Sequence, residues 1–532
     1  MRGRLAQADL VLFDGYFFSP EHGEPIASAL AVKDGLIMAL GAEEELKPLV
    51  GPGTRLIDLE GRSVLPGLSD SHVHGLALGR SLSWADLSEA KSIDELVESL
   101  RRQAASRPEG WVVGFGWDHE RFSERRLPTR WDLDRVSAER PVVAFRKCYH
   151  LCVVNSAALA ALGEDRLAEL DKKGEALRDA STGKLNGVLV EGGLEAVREL
   201  LRELDKQGVL RAVEAAVDEA LRHGLTCLHW IAECPEELAA IMALRASGRL
   251  GIRLYLLFPP HMLEHLVALG LRTGFGDPWV RVGALKVIAD GSLGARTAFL
   301  REPYADDPGN RGRLLYSERE LRELALRAHE AGLQLAIHAI GDGAVELVLK
   351  VLSELPGGPR RMRHRVEHAS VLDPALIRHM ASLGVVASVQ PRFIVSDFWV
   401  EERLGASRAR WTYPLKSLLK AGVVLAAGSD APVEPIDPLE GIRAATGEAQ
   451  RPEERLTLWE TVGTYTYGSA FASFQEGFAG TLEPGKAADL TVLSCGPEEL
   501  EAGELEGARV DATFVMGELA FSRVRLPEFG GL

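Results

Sequence analysis

The middle of the chain alternates short apolar runs with longer segments in which apolar residues recur every three or four positions. Apolar runs bounded by turn residues are typical of buried strands, and the longer segments are typical of amphipathic helices. We expect eight of these runs to form the strands of one parallel sheet: residues 64–74, 225–230, 252–258, 280–289, 333–338, 364–368, 385–390 and 423–430. Eight strands alternating with helices is the pattern of a TIM (β/α)8 barrel, so we predict an α/β protein built around this barrel.

Both ends of the chain carry shorter β-like runs that Gly and Asp residues separate. At the beginning these are residues 8–13, 28–32, 37–40 and 54–58, and at the end residues 489–493 and 512–514. Neither end has enough strands for a sheet of its own. We therefore predict one small β-sandwich domain made of residues 1–62 and 478–532, with the barrel made of residues 63–79 and 216–477.

The first and second predicted barrel strands are separated by far more residues than one connecting helix requires. We predict that residues 80–215 form an inserted α/β subdomain. It contains two β-like runs, at residues 111–115 and 142–146, and charged helical segments at residues 93–107 and 194–205.

Composition and net charge limit the classes of partner that we expect the protein to bind. The 532 residues are 46% hydrophobic and 26% charged, with a net charge of -16, which disfavours a nucleic acid or an anionic membrane surface as partner. No apolar run is long enough to cross a bilayer or to resemble a signal peptide.

The five cysteines are scattered and odd in number, which predicts reduced thiols in a cytoplasmic protein. Cys148 and Cys152 flank His150, and packing thiols are favoured there over a soft metal site.

His72 and His74 are the first candidate metal ligands. They end the first predicted barrel strand, and residues i and i+2 of a strand face the same side. Two imidazoles on one rigid face can bind a single metal ion at a low ordering cost. The carboxyl ends of barrel strands are also where active sites of this fold lie.

Lys286 lies within the fourth predicted strand, where an isolated charge is costly to bury. One interpretation is a buried salt bridge. The other is a lysine whose lowered pKa leaves a neutral amine that reacts with carbon dioxide to form a carbamate. That carboxylate could bridge two metal ions.

Further candidate ligands follow at later strand ends. His338 ends the fifth predicted strand, His368 the sixth and Asp430 the eighth. A single histidine in such a place is more often a core residue, and an aspartate can cap a helix. Their joint placement at the ends of barrel strands favours a metal centre, where Asp430 would orient a water molecule and move its proton.

These positions and the residues around them resemble the amidohydrolase superfamily. The runs at residues 286–298, 337–342 and 428–433 are similar to the amidohydrolase-3 or YtcJ-like branch, which includes N-substituted formamide deformylases. The resemblance covers essentially the whole chain. It implies a divalent metal centre, with zinc expected, in which a carboxylated lysine lies between two metal sites. The implied ligands are His72, His74 and Asp430 for the first metal, His338 and His368 for the second, and Lys286 between them.

A mononuclear centre is an alternative that the resemblance also allows. In that version His72, His74, His338 and Asp430 hold one metal, and His368 activates the water. In the binuclear version the resemblance implies that a metal-held hydroxide attacks a carbonyl and that Asp430, as general acid and base, passes its proton to the leaving nitrogen.

Candidate substrate contacts lie in the insertion and on the loop after the Lys286 strand. In the insertion, His150 could polarise a carbonyl, Asn155 belongs to the same family-like segment, and Trp117 could line an apolar pocket. On the loop, Asp290, Arg296 and Thr297 lie at the catalytic face. Structural roles are open for all of them, including core packing for Trp117 and a loop salt bridge for Arg296.

The resemblance implies that the protein hydrolyses a C–N bond in a small-molecule amide, formamide, carbamate or cyclic amide. Ester, lactone or organophosphate hydrolysis, deamination and a non-catalytic regulatory role are the alternatives. The chain departs from the family pattern at Ala431, at Gly343 and at the pair Arg392 and Phe393. These positions are not metal ligands, so the departures concern the substrate. Exposed edges of the β-domain would suit a homodimer.

Overall fold

The computed structural model describes residues 6–21, 23–106, 110–204, 208–501, 505 and 507–530. The chain divides into two compact units. The first comprises Met1–Gly75, Ala216–Ala431 and Pro435–Leu532, and the second comprises Leu76–Ala215 and Pro432–Glu434. The barrel and the strands from both termini thus fall in the same unit.

The strands of the described residues are numbered in chain order. They are β1 (Leu10–Phe18), β2 (Pro25–Ala27), β3 (Ala29–Lys33), β4 (Leu36–Gly41), β5 (Arg55–Pro66), β6 (Leu68–Val73), β7 (Ala85–Asp86), β8 (Val112–Trp117), β9 (Val142–Arg146), β10 (Leu151–Val154), β11 (Ala176–Arg178), β12 (Leu185–Val190), β13 (Leu225–Ile231), β14 (Arg253–Phe258), β15 (Val280–Ile288), β16 (Gln334–Ala339), β17 (Arg365–His368), β18 (Val386–Val389), β19 (Leu425–Ala427), β20 (Leu490–Leu493), β21 (Val510–Val515), β22 (Glu518–Ser522) and β23 (Glu528–Gly530).

The α-helices of the described residues are α1 (Glu43–Leu46), α2 (Gly75–Ser81), α3 (Ile93–Ser106), α4 (Arg130–Asp134), α5 (Ser156–Leu162), α6 (Glu164–Lys172), α7 (Gly192–Leu204), α8 (Gly208–Arg222), α9 (Pro235–Ala246), α10 (Leu263–Ala268), α11 (Glu318–Glu330), α12 (Asp342–Ser353), α13 (Pro374–Leu383), α14 (Phe393–Ser396), α15 (Val400–Leu404), α16 (Ala406–Ala409), α17 (Leu415–Lys420), α18 (Pro438–Thr446), α19 (Leu458–Gly463), α20 (Ser469–Ala472) and α21 (Pro497–Glu501). Among these described helices, none combines the length and the apolar character that crossing a membrane requires.

The barrel is an eight-stranded parallel sheet with the order β6, β13, β14, β15, β16, β17, β18 and β19. A parallel bridge between Val73 and Ala431 joins the first strand to the residues that follow the last one. The strands are buried along nearly their whole length because helices cover the outside of such a sheet and side chains fill its inside. The predicted fold class is confirmed.

The first predicted barrel strand, residues 64–74, is wrong as a single element. The chain leaves the terminal sheet at Pro66, where β5 ends, and enters the barrel at Leu68, where β6 begins. Gly67 separates the two, and a Cβ atom there would lie 2.4 Å from Thr226 Oγ1 and 2.7 Å from Asp489 Cβ. The apolar run is continuous because both strands are buried, so hydrophobic pattern alone could not show the change of sheet.

The terminal strands form one nine-stranded sheet that joins the beginning and the end of the chain. β5 pairs in parallel with β1 and antiparallel with β20, so it lies between strands from the two termini. Large apolar side chains, including Phe17, Leu30, Val492 and Phe514, form a buried cluster on this sheet. This pairing explains why neither terminus alone contains enough strands for a sheet.

The inserted unit contains a six-stranded mixed sheet with the order β11, β12, β10, β9, β8 and β7. The apolar face of α3 packs onto the core of this sheet through Leu96 and Leu100, which are fully buried. The predicted runs at residues 111–115 and 142–146 correspond to β8 and β9, and the predicted helices correspond to α3 and α7. Residues 107 and 205, at the ends of those predicted helices, lie outside the described residues.

A buried ion pair connects the barrel to the terminal sheet. Arg253 of β14 donates from Nε to Asp489 Oδ2 at 2.7 Å and from Nη1 to Gln475 Oε1 at 2.6 Å. Asp489 Oδ1 accepts the backbone N–H of Met516 at 2.9 Å. Removing one member of a buried pair leaves the other charge without compensation, which makes this contact sensitive to substitution.

We expect Arg253→Met to lower the free energy of unfolding by about 3 kcal/mol, because the Asp489 carboxylate stays buried without its partner. Urea denaturation followed by circular dichroism measures this change. Arg319→Met is the control, since its pair with Glu323 spans 3.6 Å and the Arg319 side chain is 80% exposed. We expect a change below about 0.5 kcal/mol there. Equal losses of unfolding free energy in the two variants would contradict a stabilising role for the buried pair of Arg253 and Asp489.

Candidate metal centre

The two histidines of β6 converge with Asp430 at the carboxyl end of the barrel strands. His72 Nε2 lies 3.4 Å and His74 Nε2 lies 3.3 Å from Asp430 Oδ1. One ligand atom from each of the three residues falls within 4.8 Å of the others. Backbone hydrogen bonds hold them there, since Asp430 N donates to His72 O at 2.8 Å and His74 N donates to Ala431 O at 2.9 Å.

Lys286 extends from β15 toward the same place. Its Nζ lies 3.0 Å from His72 Nε2, and the residue is 4% exposed. Burial lowers the pKa of Lys286 to about 8, although the charges of Glu367 and Asp430 oppose the shift. The pKa of this amine therefore lies closer to neutral pH than that of an exposed lysine.

His338 and His368 form a second pair beside the first. Their ring centroids lie 4.4 Å apart, and the His368 centroid lies 5.0 Å from that of His72. Burial and neighbouring basic groups keep the pKa of His368 well below its usual value, which favours the neutral form that binds metals. Among the described residues, His368 Nδ1 is buried and has no hydrogen-bond partner.

Three residues at these strand ends have strained backbone conformations. His368 has a φ of 69°, Ala369 a φ of 48° and Asp430 a φ of 63°, all in the left-handed region that non-glycine residues rarely adopt. Such conformations persist only where the surrounding structure enforces them, and they are concentrated at functional sites. The strain therefore supports the assignment of His368 and Asp430 to the site.

Several residues of the site carried no assignment in the sequence. Glu367 is fully buried, and its Oε2 contacts His72 Nδ1. Arg365 donates to both oxygens of Glu367, at 2.7 and 3.0 Å. The available signal was two charged residues at i and i+2 of one predicted strand, which places both on one face of the sheet.

Asp70 is another such residue. Its carboxylate accepts the backbone N–H of His72 at 2.9 Å and that of Ser429 at 3.0 Å. Burial raises the pKa of Asp70 to about 7, while these hydrogen bonds oppose the shift. Asp70 thus ties the strand of His72 to the segment that carries Asp430.

The three loop residues that were candidate substrate contacts make internal contacts. The fully buried Asp290 accepts the backbone N–H groups of Phe299, Ile340 and Gly341 at 2.9 to 3.0 Å. Thr297 Oγ1 accepts the N–H of Ser292 at 3.0 Å. Arg296 forms the salt bridge that was its structural alternative, with 2.7 Å between Nη2 and Asp306 Oδ2. These contacts shape the loop, and the substrate-binding roles of the three residues stay predictions.

Two candidates in the insertion likewise have structural roles. Trp117 is fully buried in the core of the inserted sheet. The fully buried Asn155 caps α5, accepting the N–H groups of Val142 and Ala158 at 3.0 and 2.9 Å. Its amide group donates to two backbone carbonyls as well. Core packing accounts for Trp117 and helix capping for Asn155, and a substrate-binding role of either residue stays a prediction.

His150 has a different environment. Its Nδ1 lies 3.0 Å from Glu191 Oε2, and the histidine side chain is 18% exposed. Tyr149 and Glu191 have φ values of 57° and 46°. Cys152, close in sequence, is fully buried among apolar side chains, as expected of a packing thiol. The catalytic role of His150 stays a prediction.

The donor set fits a divalent transition metal. Neutral imidazoles and a carboxylate are the ligands that zinc takes in catalytic sites, and here they meet at the ends of barrel strands. The buried, unpartnered Nδ1 of His368 is a further observation that a bound cation would explain, within the part of the chain that the structure describes. His72, His74 and Asp430 would hold the ion, with His338 and His368 beside it.

Comparison with known proteins agrees with this geometry. Residues 55–521 match the sequence model of the Amidohydrolase family, Amidohydro_3. The chain is 34% identical over 513 residues to a Bacillus subtilis (strain 168) protein named putative amidohydrolase YtcJ, with 93% of this chain and 96% of that protein covered. It is 27% identical over 548 residues to the N-substituted formamide deformylase of Arthrobacter pascens, covering 97% and 98%.

A solved structure gives the same result. The crystal structure of an uncharacterized metal-dependent hydrolase from Pyrococcus horikoshii OT3 superposes with a TM-score of 0.77 at 31% identity, covering 92% of this chain and 98% of that one. The resemblance that the sequence motifs indicated is confirmed. The chain belongs to the amidohydrolase family.

Proposed function

We propose that this protein hydrolyses a C–N bond in a small-molecule amide, formamide, carbamate or cyclic amide, with a divalent metal, zinc being expected, as cofactor. The observation that carries the proposal is the convergence of His72 Nε2, His74 Nε2 and Asp430 Oδ1 at the ends of the barrel strands. The similarity to a formamide deformylase over nearly the whole chain supports C–N bonds over the ester, lactone and ring-amidine alternatives.

A bound divalent metal supplies Lewis acidity toward a carbonyl oxygen and lowers the pKa of a water molecule. The chain supplies the proton transfer. The carboxylate of Asp430 accepts the proton of the attacking water and delivers it to the leaving nitrogen, which departs as a neutral amine. The strained backbone at Asp430 and its hydrogen bond to His72 O fix the position of this carboxylate. Such pre-positioning favours the transfer, because little reorganisation is needed during the reaction.

We propose further that Lys286 is carboxylated and lies between two metal sites. The neutral Nζ attacks the carbon of carbon dioxide, one proton leaves to solvent, and a carbamate with a carboxylate end results. The lowered pKa of Lys286, its 3.0 Å distance to His72 Nε2 and the adjacent His338 and His368 pair support this. The mononuclear alternative leaves Lys286 unmodified and gives His368 the role of activating water.

We expect His72→Ala to abolish hydrolysis of every true substrate and to remove bound zinc, because the variant lacks a central ligand. Steady-state kinetics and elemental analysis of the dialysed protein measure both effects. His261→Ala, at an exposed position, is the matched control and should keep both metal and activity. Full turnover by His72→Ala would reject the proposed site.

The number of metals distinguishes the two versions of the centre. We expect two zinc ions per chain by elemental analysis after removal of metal and reconstitution in the presence of bicarbonate. With 13C-labelled bicarbonate, a carbamate carbon signal should appear in the NMR spectrum of wild type and be absent from Lys286→Met. One zinc per chain without that signal would establish the mononuclear version.

A substrate panel tests the bond that is cleaved. The zinc-loaded protein should release an amine and a carboxylic acid from N-formyl or N-acyl compounds and should open cyclic imides to the half-amide acid, with lower kcat/KM for lactones. Ammonia release without formation of a carboxylic acid would establish a deaminase instead. Absence of turnover across the whole panel, with full metal occupancy, would favour the regulatory alternative.

A further inference from the structure

The two histidines of β6 are arranged alike. Each directs Nε2 toward Asp430 Oδ1, at 3.4 Å from His72 and 3.3 Å from His74. Each also directs Nδ1 toward a carboxylate, which is Glu367 for His72 and Glu233 for His74. The two carboxylates come from different barrel strands, since Glu367 lies in β17 and Glu233 follows β13.

We propose that Glu367 and Glu233 are positioning residues that hold the proton of each imidazole on Nδ1, so that the lone pair of Nε2 points to the metal. A neutral imidazole carries one proton, and the partner of one nitrogen decides which nitrogen keeps it. The inference rests on the proposed metal site at His72, His74 and Asp430.

Arg365 makes Glu367 an acceptor on both sides. The guanidinium donates from Nε to Oε1 at 2.7 Å and from Nη2 to Oε2 at 3.0 Å, and both side chains are fully buried. Nη2 also donates to Ser71 O at 2.7 Å, next to His72 in the chain. This contact fixes the ion pair of Arg365 and Glu367 to β6, the strand that carries His72. An ionised carboxylate has no proton to donate, so His72 Nδ1 must be the donor in this contact.

Glu233 is held through a longer chain of contacts. Its backbone N–H donates to Glu237 Oε2 at 2.6 Å, and Glu237 Oε1 accepts Trp230 Nε1 at 2.5 Å. The Trp230 ring packs against Gly75, where a Cβ atom would lie 2.2 Å from the ring. Gly75 follows His74 directly, so this network reaches the histidine from its side chain and from its backbone.

The contact of Glu367 with His72 is stronger than that of Glu233 with His74. The Glu367 side chain is fully buried and held by a guanidinium. The Glu233 side chain is 11% exposed, and its 3.4 Å contact with His74 Nδ1 is not a hydrogen bond. A hydrogen bond to a charged group gains strength when water is excluded. We therefore expect Glu367 to influence metal affinity more than Glu233 does.

Glu367→Gln separates this role from simple packing because it keeps the shape of the side chain. If the glutamine oxygen accepts from Arg365, its amide NH2 faces His72 Nδ1. That contact favours the tautomer with the proton on Nε2, which has no lone pair for the metal. We expect zinc affinity, measured by competition with a chromophoric chelator, to fall about 10- to 100-fold for Glu367→Gln and by less for Glu233→Gln.

Glu454→Gln is the matched control, since this buried carboxylate accepts the N–H of Ser417 at 2.9 Å and its hydroxyl, away from the histidines. Its zinc affinity should equal that of wild type. A drop in thermal midpoint without a change in zinc affinity for Glu367→Gln would reduce Glu367 to a structural role and overturn the proposal.

The tautomer itself gives a readout that needs neither metal nor substrate. In metal-free wild type labelled with 15N-histidine, NMR should show the proton of His72 on Nδ1, with the signal assigned through its loss in His72→Ala. Finding it on Nε2 would overturn the proposal even if Glu367→Gln failed to fold. If the proton is on Nδ1 but zinc does not bind, the proposed metal site fails instead, so the two failures are distinguishable.

Discussion

Closure of the barrel is the constraint on which the site depends. The first strand and the segment after the last strand are joined by the bridge between Val73 and Ala431 and by the hydrogen bond from Asp430 N to His72 O. Asp70 strengthens this seam by accepting backbone N–H groups from both sides. Without the seam, residues from opposite ends of the barrel sequence would not share a ligand position. The candidate metal centre is thus a property of the closed sheet, and no single motif contains it.

Burial sets the chemistry of the centre. Removing water from Lys286, His72 and His368 disfavours their charged forms, which leaves nitrogen lone pairs available as nucleophiles or ligands. Glu367 supplies the opposite charge. Burial raises its pKa, but the charges of Arg365 and Lys286 and its hydrogen bonds together lower the pKa below the usual value. The barrel interior therefore contains uncharged nitrogen ligands next to the buried ion pair of Arg365 and Glu367.

The sequence predicted the fold, and placed the candidate ligands at one face of it, because both depend on regular spacing. Strand ends of a barrel lie at one face, so His338 and His368 could be placed from their position alone. The roles of Asp290, Asn155 and Trp117 depend on backbone N–H groups and packing partners distant in sequence, which spacing does not reveal. Arg365 and Glu367 could be assigned to one face of a strand, but the partner of each depends on the neighbouring strands. The break at Gly67 was hidden because burial on both sides of it gives an uninterrupted apolar run.

The break at Gly67 makes the strand of His72 dependent on residues near the carboxyl terminus. β5 runs into the strand of His72 with Gly67 alone between them, and its last residues, Ser63–Pro66, pair with β20 near the carboxyl terminus. Thr491 of β20 also accepts the N–H of Leu68 at 3.1 Å, at the start of the histidine strand. A premature stop codon after the last metal ligand would leave every ligand encoded. It would still deprive their first strand of its neighbour, so late truncations should act as loss-of-function alleles.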